Sequence, residues 1–495
     1  MEEKGNSFYN YCVEKADIKG EIMDREVRTK RIVGGILAMF FAAFFAAILF
    51  WHGESSKNYA DVLVQKYKPV GAAMVFIEED GTVRFQNYGY ADKENEIPVT
   101  EDTKFKIASI SKTFTSYAIM QLVDEGRLDL DTPVNEYLTS WKIPQSKYDE
   151  NKVTLRTLLS HTSGLSKSDE EGYTNPLPTV AEAMEQREIH LVRKPGVQFE
   201  YSEFVGHGIC QLVIEDVTGI KFEDYMKQYV FEPLGMKDTG YENEGENFAV
   251  PYAGNGKEVS ITPIVMNGGG GVTTTAKDMS LFVKELMRYY EEGSKEMFQV
   301  QKNTESQGGV YALGIIPRKL SNGKTVYEHN GTLTGWNAQM AFEPESHNGM
   351  VVLTNSDKAY YMTYEMMEKW GEQEIGEKVE DLQIKELHNI FFKLILAVGI
   401  CTAVYAFFFL HNIRKGKLQK RDDKKYIVRL ILCMLLIGIY YFFAYTAIPF
   451  SKMFGMENYY LFTFFPKERG WLYIEILVLF GLWILKGTYV KKRMI

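Results

Sequence analysis

The chain has 495 residues, 45% of them hydrophobic and 24% charged, with four cysteines and a formal net charge of −9. That composition excludes intrinsic disorder, a collagen-like repeat and a disulfide scaffold. The apolar residues gather in long uncharged runs, which excludes a wholly soluble chain.

Crossing a hydrocarbon layer about 30 Å thick takes about 20 apolar residues in a helix, and four runs meet that length: residues 32–51, 390–410, 430–450 and 471–490. The first leaves through Phe50 and Trp51 with no small-residue cleavage site, so it reads as a retained anchor. The fourth carries Glu475 and Lys486, and a surface helix is its alternative. Lys and Arg are enriched in short cytoplasmic loops. A basic cluster at Arg25, Arg28, Lys30 and Arg31 therefore puts the tail, residues 1–31, inside. The basic loop 412–429 and the end, residues 491–495, are placed inside by the same rule. Residues 53–388 then face outward from a bacterial cytoplasmic membrane, and residues 390–490 hold three spans.

The outer segment carries 33 Lys plus Arg against 53 Asp plus Glu. A surface that acidic is a poor partner for nucleic acid, which needs a basic face. The segment has one cysteine, Cys210, and it lies on an apolar helical pattern as a small buried residue. The eight histidines are scattered and no HExxH or CxxC occurs, so neither a metal nor a cofactor is expected.

In chain order, the outer segment opens with a short helix near Tyr59 to Lys68. Two strands follow, Ala72 to Glu78 and Val83 to Tyr88, joined by a turn at Asp80 and Gly81. A long helix is expected from Ser109 to Glu125, closed by Gly126, and the middle of the segment is helical or irregular. The strands Asn337 to Phe342 and Met350 to Leu353 precede a helix that ends near Trp370. The fold class is therefore α+β: an antiparallel sheet completed and flanked by both chain ends, with a mostly helical inserted region, plus transmembrane helices.

The chemistry begins at Ser109-Ile110-Ser111-Lys112. Residues three apart share a helix face, so an amine at Lys112 can reach the Ser109 hydroxyl. A lysine in a dry cleft loses basicity and can take the serine proton. One tetrapeptide is weak, since about two S-x-x-K matches are expected by chance in a chain this long.

The wider string from Phe105 to Thr115, with Gln121 to Val134, resembles the active-site helix of the penicillin-recognising serine hydrolases. The nearest branch holds class C β-lactamases, D-aminopeptidases, DD-carboxypeptidases and esterases. Blocks resembling that family follow in its order at Leu158–Leu165, Pro195–Ser202, Pro233–Met236, Gly270–Asp278 and His329–Gly331. The resemblance implies roles by position. Ser109 is the acylated nucleophile, Lys112 its general base, and Tyr201 a proton relay to the leaving group, acidified by Lys112. His329, opening an H-x-G on the strand that lines the cleft, meets substrate as a cation or donor beside Gly331. The N–H groups of Ser109 and Thr332 form the oxyanion hole. His161, in the Leu158–Leu165 block, is structural, and the glycine run from Asn267 to Gly271 is a tight turn beside the cleft.

One position departs from the family. Two residues beyond Tyr201, where an asparagine is usual, stands Glu203. Its carboxylate is expected to keep Lys112 protonated and to disfavour anionic substrates. The whole arrangement is similar to the FmtA-like membrane proteins of Gram-positive bacteria and to the membrane peptidase that removes an N-acyl-D-asparagine cap from a colibactin precursor. The implied activity is cleavage of an amide or ester next to a D-amino acid in a small peptide, cell-wall peptide, D-alanyl ester or prodrug, beside the lipid bilayer. The alternative is a β-lactam-acylated sensor or a catalytically degenerate wall-binding protein.

Overall fold

The computed structural model describes residues 58–168, 173, 176–306, 308–420, 426–445 and 468–491. The expected anchor at residues 32–51 lies outside them.

Both ends of the outer segment build one sheet. Helix α1 (Tyr59–Tyr67) leads into strands β1 (Gly71–Ile77), β2 (Val83–Asp92) and β3 (Ile97–Pro98), while β6 (Ile316–Lys319), β7 (Thr325–Leu333), β8 (Trp336–Glu343) and β9 (Asn348–Thr354) return some 220 residues later. The seven strands run in the order β3-β2-β1-β9-β8-β7-β6, all neighbours antiparallel. Met74 of β1 faces Gln86 on one side and Val352 on the other.

The sheet is covered on both faces. All seven residues of β1 are buried, and they alternate between two cores: Ala73, Val75 and Ile77 pack toward the helical region, Ala72, Met74 and Phe76 toward α1 and α7 (Tyr360–Trp370). This explains why Gly71 to Ile77 is a continuous apolar run rather than an alternating one.

The inserted region is mostly helical, as its sequence suggests. A short pair, β4 (Phe105–Lys106) with β5 (Thr273–Thr274), precedes α2 (Ser111–Asp124), which has eleven of its fourteen residues buried. A helix buried around most of its circumference lies in a domain centre, and here the buried residues include polar Ser111, Lys112, Thr113, Thr115 and Ser116. Phe114 of α2 stacks on Phe282 of α6 (Ala276–Glu292) at 3.6 Å between ring centroids. Helix α3 (Leu155–Leu159), α4 (Val205–Thr218) and the short α5 (Asn267–Gly270) complete the packing around α2.

Three boundaries differ from the sequence reading. Ser109 is not in the long helix but in a 3-10 turn, Ala108–Ile110, that leads into it. The glycine run is a single helical turn rather than a tight turn. The strand β7, which periodicity alone does not reveal, carries polar Glu328, His329 and Asn330 at its centre.

Toward the C-terminus, α8 (Leu382–Arg414) is, among the described residues, the one helix long and apolar enough to cross a membrane. It contains the span expected at 390–410 and begins eight residues earlier. Helices α9 (Tyr426–Tyr445) and α10 (Glu468–Gly487) occupy the other two expected runs, with residues 446–450 outside the described part.

Strand β7 presses against the Ala108–Ile110 turn that carries Ser109. A Cβ placed on Gly331 falls 2.0 Å from the Ile107 carbonyl oxygen and 3.2 Å from Ala108 Cβ, so only glycine allows this approach. Gly331→Ala is expected to move β7 off the turn, lower the melting temperature by several degrees, and slow covalent labelling of Ser109 about 100-fold. Thermal melts and labelling time courses check both.

Candidate active site

Ser109 sits at a bend. The preceding Ala108 has φ +48°, a left-handed conformation that costs a residue with a Cβ about 1 kcal/mol or more. Ala108 is buried and Ile107 and Ile110 are buried beside it, so packing holds the turn in place. The result is a half-exposed Ser109 at the mouth of α2, above a fully buried Lys112.

Lys112 has three neighbours within hydrogen-bond reach of Nζ: Ser109 Oγ at 3.0 Å, the Glu203 carbonyl at 2.5 Å and the Gly269 carbonyl at 2.7 Å. A neutral amine has two N–H groups and one lone pair. The two carbonyls can only accept, so they take both N–H groups, and the lone pair is left for the Ser109 hydroxyl. Burial lowers the Lys112 pKa to about 7, against a smaller opposing effect of the Glu203 carboxylate. Glu203 therefore acts with the expected sign, but desolvation outweighs it, and the amine is available as a base near neutrality.

The glycine turn exists to deliver that second carbonyl. Added Cβ atoms would fall 2.7 Å from the His207 carbonyl at Gly268 and 2.8 Å from Phe204 Cα at Gly269, so side chains there would push α5 away from Lys112. Thr115 Oγ1 donates to the Gly268 carbonyl at 2.9 Å, and Lys106 Nζ to that of Gly271 at 3.1 Å. The first bond ties α5 to α2, and the second ties the residue after α5 to β4.

Tyr201 lies beside Lys112, whose Nζ is 5.0 Å from the ring centroid. Burial raises the phenol's pKa, opposed by a hydrogen bond with the Ser109 side chain. This corrects the expectation of an acidified phenol: burial outweighs the influences that would lower its pKa, and Tyr201 stays a protonated donor. Ser109, Lys112 and Tyr201 are brought together.

His329 is not. It is 1% exposed, and burial lowers its pKa to about 3, so it is no cation. Its Nδ1 is 2.7 Å from the Asn330 carbonyl, which can only accept, so Nδ1 carries the proton; Nε2 then accepts from the Tyr311 hydroxyl at 2.7 Å. Both nitrogens are used inside the protein, which corrects the expectation of a substrate contact. Tyr311 was invisible to sequence reasoning because it belongs to no recognised block. Its ring lies 4.8 Å from His161, which in turn lies 4.4 Å from Tyr201. His161 accepts from the Ser202 N–H at 3.1 Å through Nδ1 and is held neutral by burial. It steadies the Tyr201 loop, as the structural reading of that block expects.

Glu203 is also placed differently from the sequence reading. Its carbonyl, not its carboxylate, meets Lys112. The side chain is 52% exposed, 4.0 Å from Lys167 Nζ. Gly331 approaches the Ser109 turn through its backbone, and Thr332 turns its hydroxyl to Asn337 Oδ1 at 3.2 Å, so the Thr332 side chain does not address Ser109.

A family profile described as Beta-lactamase matches residues 57–363, more than half of the chain. The chain belongs to the beta-lactamase family. Among curated relatives, protein flp of Staphylococcus aureus strain MW2 is 26% identical over 437 residues, covering 82% of this chain and 84% of that protein. The putative penicillin-binding protein PbpX of Bacillus subtilis strain 168 is 27% identical over 296 residues, covering 58% and 70%. Among solved structures, a penicillin-binding protein from Bacillus halodurans superposes with a TM-score of 0.55 at 26% identity, covering 63% of this chain and 99% of that one. An octameric penicillin-binding protein homologue from Pyrococcus abyssi gives 0.55 at 26%, covering 64% and 77%. The family's antiparallel sheet and helical region are those described here.

Taken as the base, Lys112 with its pKa of about 7 predicts the pH dependence of acylation at Ser109. Protonation removes the lone pair, so the acylation rate should fall about tenfold per unit below pH 7 and level off above it. In Lys112→Ala that rising limb should vanish and the rate drop by about 10²- to 10⁴-fold. Stopped-flow acylation across pH 5–9 measures both.

Proposed function

We propose that this protein is a serine hydrolase that works through an acyl-enzyme on Ser109. The observation that carries the reading is the Lys112 amine, dry, hydrogen-bonded to two backbone carbonyls and 3.0 Å from Ser109 Oγ. In this reading Lys112 takes the Ser109 proton as Oγ attacks the carbonyl carbon, and the Ser109 and Thr332 N–H groups receive the developing oxyanion. Tyr201 passes a proton to the departing amine or alcohol, and water then releases the acyl group. The position of Ser109 ahead of α2 adds the favourable field of a helix N-terminus to the oxyanion.

The substrate proposed is a small amide or ester beside a D-amino acid, as in a cell-wall peptide, a D-alanyl ester or a peptide prodrug. The support is the family membership, together with an outer segment whose 53 acidic residues outnumber its 33 basic ones and favour a cationic substrate. The catalytic segment is proposed to face outward from a bacterial membrane, with α8 and the neighbouring apolar helices as spans and both termini inside. The apolar length of α8 and the basic residues between the C-terminal runs support that topology.

Two measurements test the reading. Intact mass spectrometry after treatment with a fluorophosphonate should show one adduct on the wild type and none on Ser109→Ala, with unchanged circular dichroism. An adduct on Ser109→Ala, or turnover by it, would remove Ser109 from the mechanism. For the substrate class, a D-alanyl ester should be turned over faster than its N-acetyl analogue, since a free ammonium gains from the Glu203 carboxylate. Half-exposed charges interact weakly, so Glu203→Asn should shift that kcat/KM ratio by only about two- to fivefold. An unchanged ratio would take Glu203 out of substrate selection.

A further inference from the structure

Strand alternation gives β7 two separate jobs. His329 and Gly331 face the nucleophile turn and Tyr311. Val326, Glu328 and Asn330 face the opposite way, toward α1 and α7. On that back face Glu328 is 1% exposed. Arg318, on the adjacent β6, donates to its Oε1 through Nε at 3.0 Å and Nη2 at 2.8 Å, and Gln339 of β8 donates to Oε2 at 2.9 Å. Two residues along the strand, Asn330 donates to the Tyr364 hydroxyl of α7 at 2.9 Å.

Arg318 does not stop at Glu328. Its Nη2 also donates to Asp381 Oδ2 at 2.7 Å, and its Nη1 to the Gly308 carbonyl. Asp381 caps the N-terminus of α8, its Oδ1 accepting from the Ile384 N–H at 2.9 Å. One guanidinium, 7% exposed, is therefore shared by a carboxylate of the catalytic strand and the cap of the membrane-length helix. A buried carboxylate is stable there only while its guanidinium is in place, so the strand and the helix start are held to a common point.

We propose that Arg318 is a positioning residue for acylation: it holds β7 from behind, at the register where Gly331 seats the nucleophile turn, with the α8 cap Asp381 as its fixed point. The proposal rests on the acyl-enzyme reading of Ser109. None of Arg318, Glu328 or Asp381 touches the reacting atoms, so their effect on the rate is purely geometric. Small misplacement of a donor near the nucleophile is costly to rate even when it costs little in stability.

The test uses the full-length protein in nanodiscs. Asp381→Asn keeps a helix-capping side chain but removes the charge that Arg318 shares, and Arg318→Lys keeps the charge but loses the planar fork. Lys369→Ala, which breaks an exposed pair with Glu372 on α7, is the control. Fluorophosphonate acylation is followed to saturation for each, with melting temperatures in parallel. Asp381→Asn and Arg318→Lys are expected to lower the saturating rate roughly 3- to 30-fold, with an unchanged half-saturating concentration, an unchanged pH limb from Lys112, and for Asp381→Asn a cooperative melt that stays well above the assay temperature. The control should match the wild type. A folded Asp381→Asn that acylates at the wild-type rate overturns the proposal, as does a loss confined to the half-saturating concentration. Should Arg318→Lys fail to fold, Asp381→Asn decides alone. If the wild type itself forms no Ser109 adduct, the acyl-enzyme reading falls and this proposal with it; an adduct formed equally fast in both overturns the positioning role only.

Discussion

The site depends on removing one amine from water. A lysine in solvent is protonated at neutral pH and useless as a base. Here Lys112 is fully buried, with no carboxylate among its hydrogen-bond partners, only the carbonyls of Glu203 and Gly269 and the Ser109 hydroxyl. Carbonyl dipoles offset part of the desolvation without restoring the charge, which is how burial prevails over the distant Glu203 carboxylate. The surrounding polar groups follow suit: His161, His207 and His329 are all held neutral by the same dry interior.

Keeping that amine dry is a task for several distant segments. The two carbonyls come from the loop before α4 and from α5, some 65 residues apart in the chain, and Lys112 comes from α2. Glycines at α5 and at Gly331 let backbone approach backbone where side chains would intervene. The sheet then supplies rigidity. Strand β7 is bonded to β6 and β8, and β8 is tied through β9 to β1, so the strands from both ends of the outer segment hold it in one continuous sheet. The strain stored at Ala108 is sustained by this enclosure.

The histidines and the departure at Glu203 show how a motif constrains chemistry only loosely. His329 occupies the motif position expected to meet substrate, yet the hydroxyl of Tyr311 and a backbone carbonyl consume both its nitrogens. Glu203 occupies the position of an amide, yet it is the main chain there that meets Lys112, and the carboxylate turns to solvent near Lys167. A backbone contact is indifferent to the side chain that follows it, which is why the substitution is compatible with the same lysine geometry.

What the sequence determined by itself was local or periodic. The i, i+3 spacing of Ser109 and Lys112, the apolar run of β1, the strand pair that became β8 and β9, and the apolar length of α8 are properties of short windows, where steric and hydrophobic preferences act directly. The order of strands and helices added the α+β class, and the family blocks added the pairing of Tyr201 with the S-x-x-K turn. Tertiary structure alone decided the rest. Strand β7 is polar at its centre because both its faces bond to distant groups, Tyr311 on one and Arg318 on the other, so no alternation announces it. Whether a lysine is a base, a histidine a cation or a glutamate a ligand depends on desolvation, and desolvation is set by which segments close over a residue, a quantity no window of sequence contains.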